Sequence, residues 1–355
     1  MKITAIETKI VDLSLLKPIK VSLGTINTFQ TLLLRIKTDI GLVGYGEASP
    51  IAFVTGETIT ICQDVIKTIS TKLIGLDVSC LERIHAIMDS DFKGNYSSKA
   101  AIDIALHDLL AQQAKLPLYQ YLGGGNDRFL IDKTISIDTP EVMAEEALRN
   151  VNEGFRILKI KLGSDINEDI KRLEVIRATV SDDIILRVDA NQGWETTMAI
   201  KAINAMAELN IEAVEQPLKY WNLRSHKTIR NKTTIPLMAD ESLFTPMDAI
   251  ELVRQDCVDI FNIKLMKCGG LYKAAQINAI AENAGYTCMV GCMLESWIGI
   301  TAAASFIAAK NNITKADIDS VMHIKANGIS SGLRFDKGMA LLSNEPGLGI
   351  NVEWD

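Results

Sequence analysis

The chain has 355 residues, 48% of them hydrophobic, and a formal net charge of -7 at pH 7. That length supplies a substantial core for one large domain or two. The acidic balance argues against a general nucleic-acid or anionic-membrane binder and leaves a small-molecule partner as the expectation. The opening "MKITAIETKI" carries charges and no apolar signal core, and "GITAAASFIAA" is too short to span a bilayer, so a cytoplasmic location is expected. Six cysteines lie scattered without CxxC pairs or neighbouring histidines, which predicts packed, reduced thiols rather than a zinc site or disulfides.

From the N-terminus, a strand-like run over residues 3 to 13 precedes "TLLLRIKTDIGLVGYGEA", two β-rich runs around an Asp-Ile-Gly turn. Helical periodicity follows over residues 57 to 115 and stops at Pro117 and the glycines 123 to 125. Residues 1 to 125 therefore read as an α+β capping domain. From about residue 126 to 325 the pattern alternates short apolar strands with amphipathic helices. The strands are "KTISID", "ILKIKLG", "ILRVDANQ", "EAVEQP", "LMADES", "IFNIKLMK", "TCMVGCM" and "ADIDS". Eight such units predict a (β/α)8-type barrel of the α/β class, with its site at the carboxyl ends of the strands. Residues 326 to 355 are expected to pack back on the cap.

Strand parity sharpens the prediction. In "RILKIKLG" the residues Leu158, Ile160 and Leu162 share one face, and Lys159 and Lys161 the other. A solvated antiparallel sheet would do the same in one strand. Yet Asp189, Glu215, Asp240, Lys264, Asp317 and Asp319 repeat the pattern near successive strand ends, as charges pointing into one barrel mouth would. Asp189, Glu215 and Asp240 are hard oxygen ligands from three successive strands, a set suited to Mg²⁺. Lys159 and Lys161 flank them on one side and Lys264 on the other. Lysines beside a divalent ion are expected to have lowered pKa values and to serve as bases, although simple ion pairing with the carboxylates is the plainer alternative. A metal between two lysines implies removal of a proton next to a carboxylate, with Lys159 and the metal stabilising the enediolate. Lys161 and Lys264 on opposite sides would then invert configuration.

The order KxK (Lys159, Lys161), "DAN" (Asp189), "VEQP" (Glu215), "MADES" (Asp240) and "IKLMKCGG" (Lys264) behind an α+β cap resembles the enolase superfamily, muconate lactonizing enzyme subgroup. The resemblance implies that Lys264 rather than Lys267 is catalytic, in agreement with parity, which puts Lys267 on the other face. The seventh strand lacks the histidine of the mandelate racemase subgroup, and His85, His107, His226 and His323 are expected to be structural or exposed.

Within that subgroup the barrel residues do not settle the substrate. Asp317 and Asp319 resemble the Asp-x-Asp by which dipeptide epimerases hold an N-terminal ammonium, although a helix N-cap pair is the simpler reading. Two unpaired aspartates would otherwise be costly. The second residue of the dipeptide should be read by the cap loops "KPIKVSLGTINTF" and "PIAFVTGET", together with Thr134. Relatives acting on L-Ala-D/L-Glu carry an arginine where this chain has Gly24, with Lys20 a possible substitute. The expectation is therefore an isomerase, a broad L-Ala-D/L-Xaa dipeptide epimerase that includes Ala-Glu at most as one substrate. It would be homo-oligomeric and placed by the resemblance in murein peptide metabolism. The alternatives are an N-acylamino acid racemase or o-succinylbenzoate synthase, a Schiff-base aldolase using Lys264, and a non-catalytic barrel homologue. "KCGG" at 267 to 270 reads as a tight βα turn, or as glycine amides open to an anion.

Overall fold

The computed structural model describes residues 1–21, 24–163, 165–325 and 328–354. Three antiparallel strands open the chain: β1 (Ile3–Val21), β2 (Gly24–Thr38) and β3 (Val43–Ala48). The first two form a ribbon far longer than the sequence pattern indicated, because "KPIKVSLGTINTF" continues the ladder, with Ile19 paired to Ile26 and Val21 to Gly24. The described part of that predicted loop is therefore paired strand, and residues 22 and 23 lie outside the described residues. Helices Ile59–Leu73, Leu81–Asp91 and Tyr96–Ala114 pack on this sheet, and their apolar residues form a core with Leu32, Leu34 and Ile36.

After a short strand, β4 (Arg128–Leu130), eight parallel strands follow: β5 (Lys133–Ile135), β6 (Ile157–Lys161), β7 (Ile185–Asp189), β8 (Ile211–Glu215), β9 (Leu237–Ala239), β10 (Ile260–Ile263), β11 (Thr287–Gly291) and β12 (Ile313–Asp317). They neighbour one another in chain order from β5 to β12. The seam between the two end strands is bridged by a backbone bond from Asp132 N to Ala316 O, 3.1 Å. All eight predicted strands are present, in a barrel of the predicted type.

The two faces of "RILKIKLG" now have separate destinations. Leu158, Ile160 and Leu162 join the large core shared with the surrounding helices. Lys159 and Lys161 take the other parity, into the lumen, with Arg187, Asp189 and Glu215. Below the charges, Ala213, Met238, Ile260 and Met289 form an apolar floor, beside which Arg187 binds Asp132 (2.8 Å) and Glu212. The polar layer therefore rests on a packed plug.

The C-terminal segment returns to the first sheet. Lys9 donates to Trp354 O, the Arg35 guanidinium lies 4.4 Å over the Trp354 ring, and Leu348 N donates to Asp108. Among the described residues no helix is long and apolar enough to cross a membrane.

Candidate active site

Three successive strands aim a carboxylate at one point. Asp189 ends β7, Glu215 ends β8, and Asp240 follows β9; one oxygen of each lies within 4.8 Å of the others, and all three residues are buried. Burial and the neighbouring Asp189 and Asp240 push the Glu215 carboxyl up to about 7. Asp189 is held at about 2, because Lys161 and Lys159 outweigh its burial. Such a cluster of hard oxygen donors fits a divalent cation of the Mg²⁺ kind.

The lysines surround this cluster. Lys159 Nζ reaches Asp317 (2.7 Å), Glu215 (2.8 Å) and Asp189 (3.1 Å). Lys161 Nζ lies 2.6 Å from Asp189, and Lys264 Nζ lies 2.9 Å from Asp240. The plainer reading, that the lysines pair with the carboxylates, is therefore realised in this state. It also reverses the expected lowering at Lys264: burial pulls its pKa down, but Asp240, Glu215 and Asp317 more than offset that and hold it above the usual lysine range. A lowered lysine requires the carboxylate charge to be spent elsewhere, and a divalent cation would do that.

Position in the barrel sets the arrangement. Lys161 ends β6 and Lys264 directly follows β10, four strands away among eight and therefore across the lumen. The carboxylates occupy the arc between them. Gly291 at the end of β11 keeps room for this: a Cβ there would fall 2.9 Å from Lys264 Cε.

Two side chains depart from the sequence reading. Lys267 was placed on the opposite face, yet it is fully buried against the site and donates to Asp240 Oδ1 and to the carbonyls of Asp240 and Asn262. Parity failed because β10 stops at Ile263 and residues 265–268 form a helical turn, which swings Lys267 back. His323 was set aside as structural or exposed, but it lines the cavity and lies 3.0 Å from Asp319. Glu241, next to Asp240, was also missed; it lines the cavity with Oε2 unpartnered, and burial raises it to about 8.

Asp317 and Asp319 both line the cavity. They are not unpaired, so the argument that they must find an external cation fails: Asp317 has Lys159, and Asp319 has His323, Lys133 (3.6 Å) and the Thr134 backbone N–H (2.8 Å). The N-cap alternative fails too, since Asp319 makes no side-chain cap bond to residues 320–323. Thr134 sits at the wall, its hydroxyl 3.4 Å from Asp319. The "KCGG" amides form a tight turn, Lys267 N and Cys268 N donating to Lys264 O and Gly269 N and Gly270 N to Leu265 O, and it is the next two amides, Leu271 N and Tyr272 N, that donate to the protein's own Asp103.

An open cavity lies above the charges, walled on the cap side by Ile19, Ile26, Phe53 and Val54. Lys20 is not part of that wall. Alternation along β1 sends Ile19 inward and Lys20 outward, where it pairs with Asp138 at 3.2 Å. Gly24, at the ribbon tip, brings no side chain to the wall.

Comparison with known proteins agrees with this geometry. A family described as mandelate racemase / muconate lactonizing enzyme, N-terminal domain, matches residues 5–123, and one described as enolase C-terminal domain-like matches residues 142–355. A hydrophobic dipeptide epimerase of Enterococcus faecalis is 44% identical over 99% of this chain and 100% of its own. An L-Ala-D/L-Glu epimerase of Bacillus subtilis is 42% identical over 99% of this chain and 97% of its own. A crystal structure of the Enterococcus faecalis dipeptide epimerase complexed with Mg and L-Leu-L-Tyr superposes with a TM-score of 0.97, covering 99% of this chain and 100% of that one.

Proposed function

Since the chain belongs to the mandelate racemase / muconate lactonizing enzyme family of the enolase superfamily, we propose that it epimerises dipeptides at the C-terminal residue, L-Ala-L-Xaa to L-Ala-D-Xaa. The observation that carries this reading is the pair Lys161 and Lys264 facing each other across the lumen with three buried carboxylates between them. Asp189, Glu215 and Asp240 hold Mg²⁺, whose charge, when bound, draws electron density from the substrate carboxylate and makes the adjacent C–H more acidic. One of Lys161 and Lys264 takes the Cα proton, and the other returns a proton to the opposite face. Lys159, fixed in the floor of the cavity, stabilises the negative charge that develops on the carboxylate. Asp317 and Asp319, with Thr134 holding Asp319 in place, receive the free ammonium. The wall of Ile19, Ile26, Phe53 and Val54 favours an apolar Xaa and disfavours glutamate, because among the described residues of that wall a buried carboxylate would meet no cation.

In this reading residues 1–125 shape the specificity wall, 126–325 carry the chemistry, and 326–355 fasten the barrel to the cap. We place the enzyme in the cytoplasm, working on murein-derived peptides. Assembly as a homo-oligomer is supported by the exposed apolar side chains Tyr220, Trp221 and Met247.

Incubation with Mg²⁺ in D2O and following the α-proton by NMR tests the proposal with L-Ala-L-Leu, L-Ala-L-Phe, L-Ala-L-Glu and N-succinyl-L-Phe. Exchange confined to free-amine dipeptides supports it. Exchange of the succinyl compound alone would replace it with N-acylamino acid racemisation, a reading favoured by one observation: both aspartates already have partners within the protein.

A further inference from the structure

A single nitrogen in the cavity wall faces two partners that it cannot serve together. His323 Nε2 lies 3.0 Å from Asp319 Oδ2 and 3.3 Å from Lys133 Nζ. An ammonium only donates and an ionised carboxylate only accepts, whereas a neutral imidazole nitrogen does one or the other. With its proton on Nε2, His323 holds Asp319, and Lys133 is left with the Asp319 carboxylate at 3.6 Å. With the proton on Nδ1, Nε2 accepts from Lys133 and releases Asp319. The imidazolium has donors at both nitrogens and commits Nε2 to Asp319.

The location gives this choice a consequence. Asp319 lies at the barrel seam, where its carboxylate accepts from Thr134 N beside the Asp132 to Ala316 backbone bond. His323 lines the main cavity on one side and, on the other, an outer groove that also contains Lys17, Lys133, Glu146 and Arg149. The charged groups facing the ring are therefore Asp319 beyond β12, Lys133 of β5, Lys17 of β1, and Glu146, Arg149 and Glu153 around helix Pro140–Asn152. Lys17 and Glu146 neutralise each other at 2.6 Å. Asp319 and Lys133 remain as the pair that competes for Nε2.

We propose that His323 is a positioning residue that switches Asp319 between the imidazole and the ammonium of an incoming dipeptide. This rests on the reading that Asp317 and Asp319 receive that ammonium. Substrate binding moves the imidazole proton from Nε2 to Nδ1 through solvent, without net proton uptake, and Nε2 then accepts from Lys133.

The direct test is NMR of Mg-loaded enzyme labelled with ¹⁵N-histidine, with the His323 signals among the four histidines identified by their loss in His323→Gln. Saturating L-Ala-L-Phe is expected to convert Nε2 from a protonated to an acceptor nitrogen, and N-succinyl-L-Phe, which lacks the ammonium, is expected to leave it protonated. Unchanged His323 nitrogens under dipeptide that is being epimerised would overturn the switch alone. Failure of any free-amine dipeptide to bind or turn over would overturn the functional reading and the switch with it. Because the tautomer is read in the wild-type protein, a variant that folds poorly does not blunt the test.

Discussion

Replacing Lys267 by methionine tests how the site balances its charge. Methionine keeps much of the volume beside Phe244, over whose ring the ammonium lies at 5.6 Å, but removes the cation that donates to Asp240 and to two carbonyls. Asp240 would keep Lys264 at 2.9 Å as its remaining close cation among the described residues. Breaking a buried pair from one side costs about 3–5 kcal/mol, because the other charge stays buried. With an unfolding entropy of roughly 2.1 cal/mol/K per residue, a chain of this length has roughly 0.75 kcal/mol/K in total, so a loss of about 4 kcal/mol lowers Tm by about 5 °C. Differential scanning calorimetry in EDTA should show that drop. The same scan with saturating Mg²⁺ should show a smaller one, because the bound cation takes over the neutralisation of Asp240. A drop in EDTA below about 1.5 °C, or one that Mg²⁺ leaves unchanged, would refute the argument that Lys267 and the metal answer the same charge.

The paired-base mechanism predicts that Lys161→Ala and Lys264→Ala each abolish epimerisation. One of them should still exchange the α-proton of a single isomer in D2O, and retention of epimerisation by either variant would rule out two bases. Ile26→Arg puts a guanidinium on the apolar wall; a charge-assisted pair contributes about 1.5–3 kcal/mol, so kcat/KM for L-Ala-L-Glu relative to L-Ala-L-Leu should rise about tenfold or more. Glu295 is raised to about 8 by burial and by Glu47, so the folded state prefers its protonated form. Stability from this group is present below its unfolded value near 4.5 and is lost as pH rises toward 8. Glu295→Gln, a fixed neutral analogue, should therefore gain Tm over the wild type progressively across that window, and a pH-independent difference would show that the group does not titrate there.

The barrel was legible because it repeats. Several strands, β6 and β7 among them, alternate apolar and charged positions, and a helix-facing core outside a charged lumen explains why Leu158 and Lys159 can be neighbours and both be buried. Repetition over several βα units distinguished this from a solvated sheet, which one strand could not do. The carboxylate cluster was legible for the same reason, since Asp189, Glu215 and Asp240 each come at or just beyond the end of a strand, where geometry is regular. The ribbon tip was less so. "KPIKVSLGTINTF" has turn-forming and charged residues, and only the register of Ile19 with Ile26 reveals that its ends remain paired and that Lys20 faces outward.

What sequence pattern did not reach is the part of the site built after the strands end. Lys267 depends on a four-residue helical turn, and His323 on a 3₁₀ turn following Asp319, so neither obeys the alternation that located the others. Both bring a donor to a carboxylate that the pattern had assigned to an outside partner: Asp240 to the metal, Asp319 to the substrate. The protein thus satisfies internally the charges that the proposed function later gives to ligands. Burying acidic groups without such stand-ins would be prohibitive, and committing them irrevocably would close the site. Lys159, Lys267 and His323 each hold a carboxylate by bonds that a stronger cation can compete for, which lets the same layer be stable before the metal and dipeptide arrive and responsive once they do.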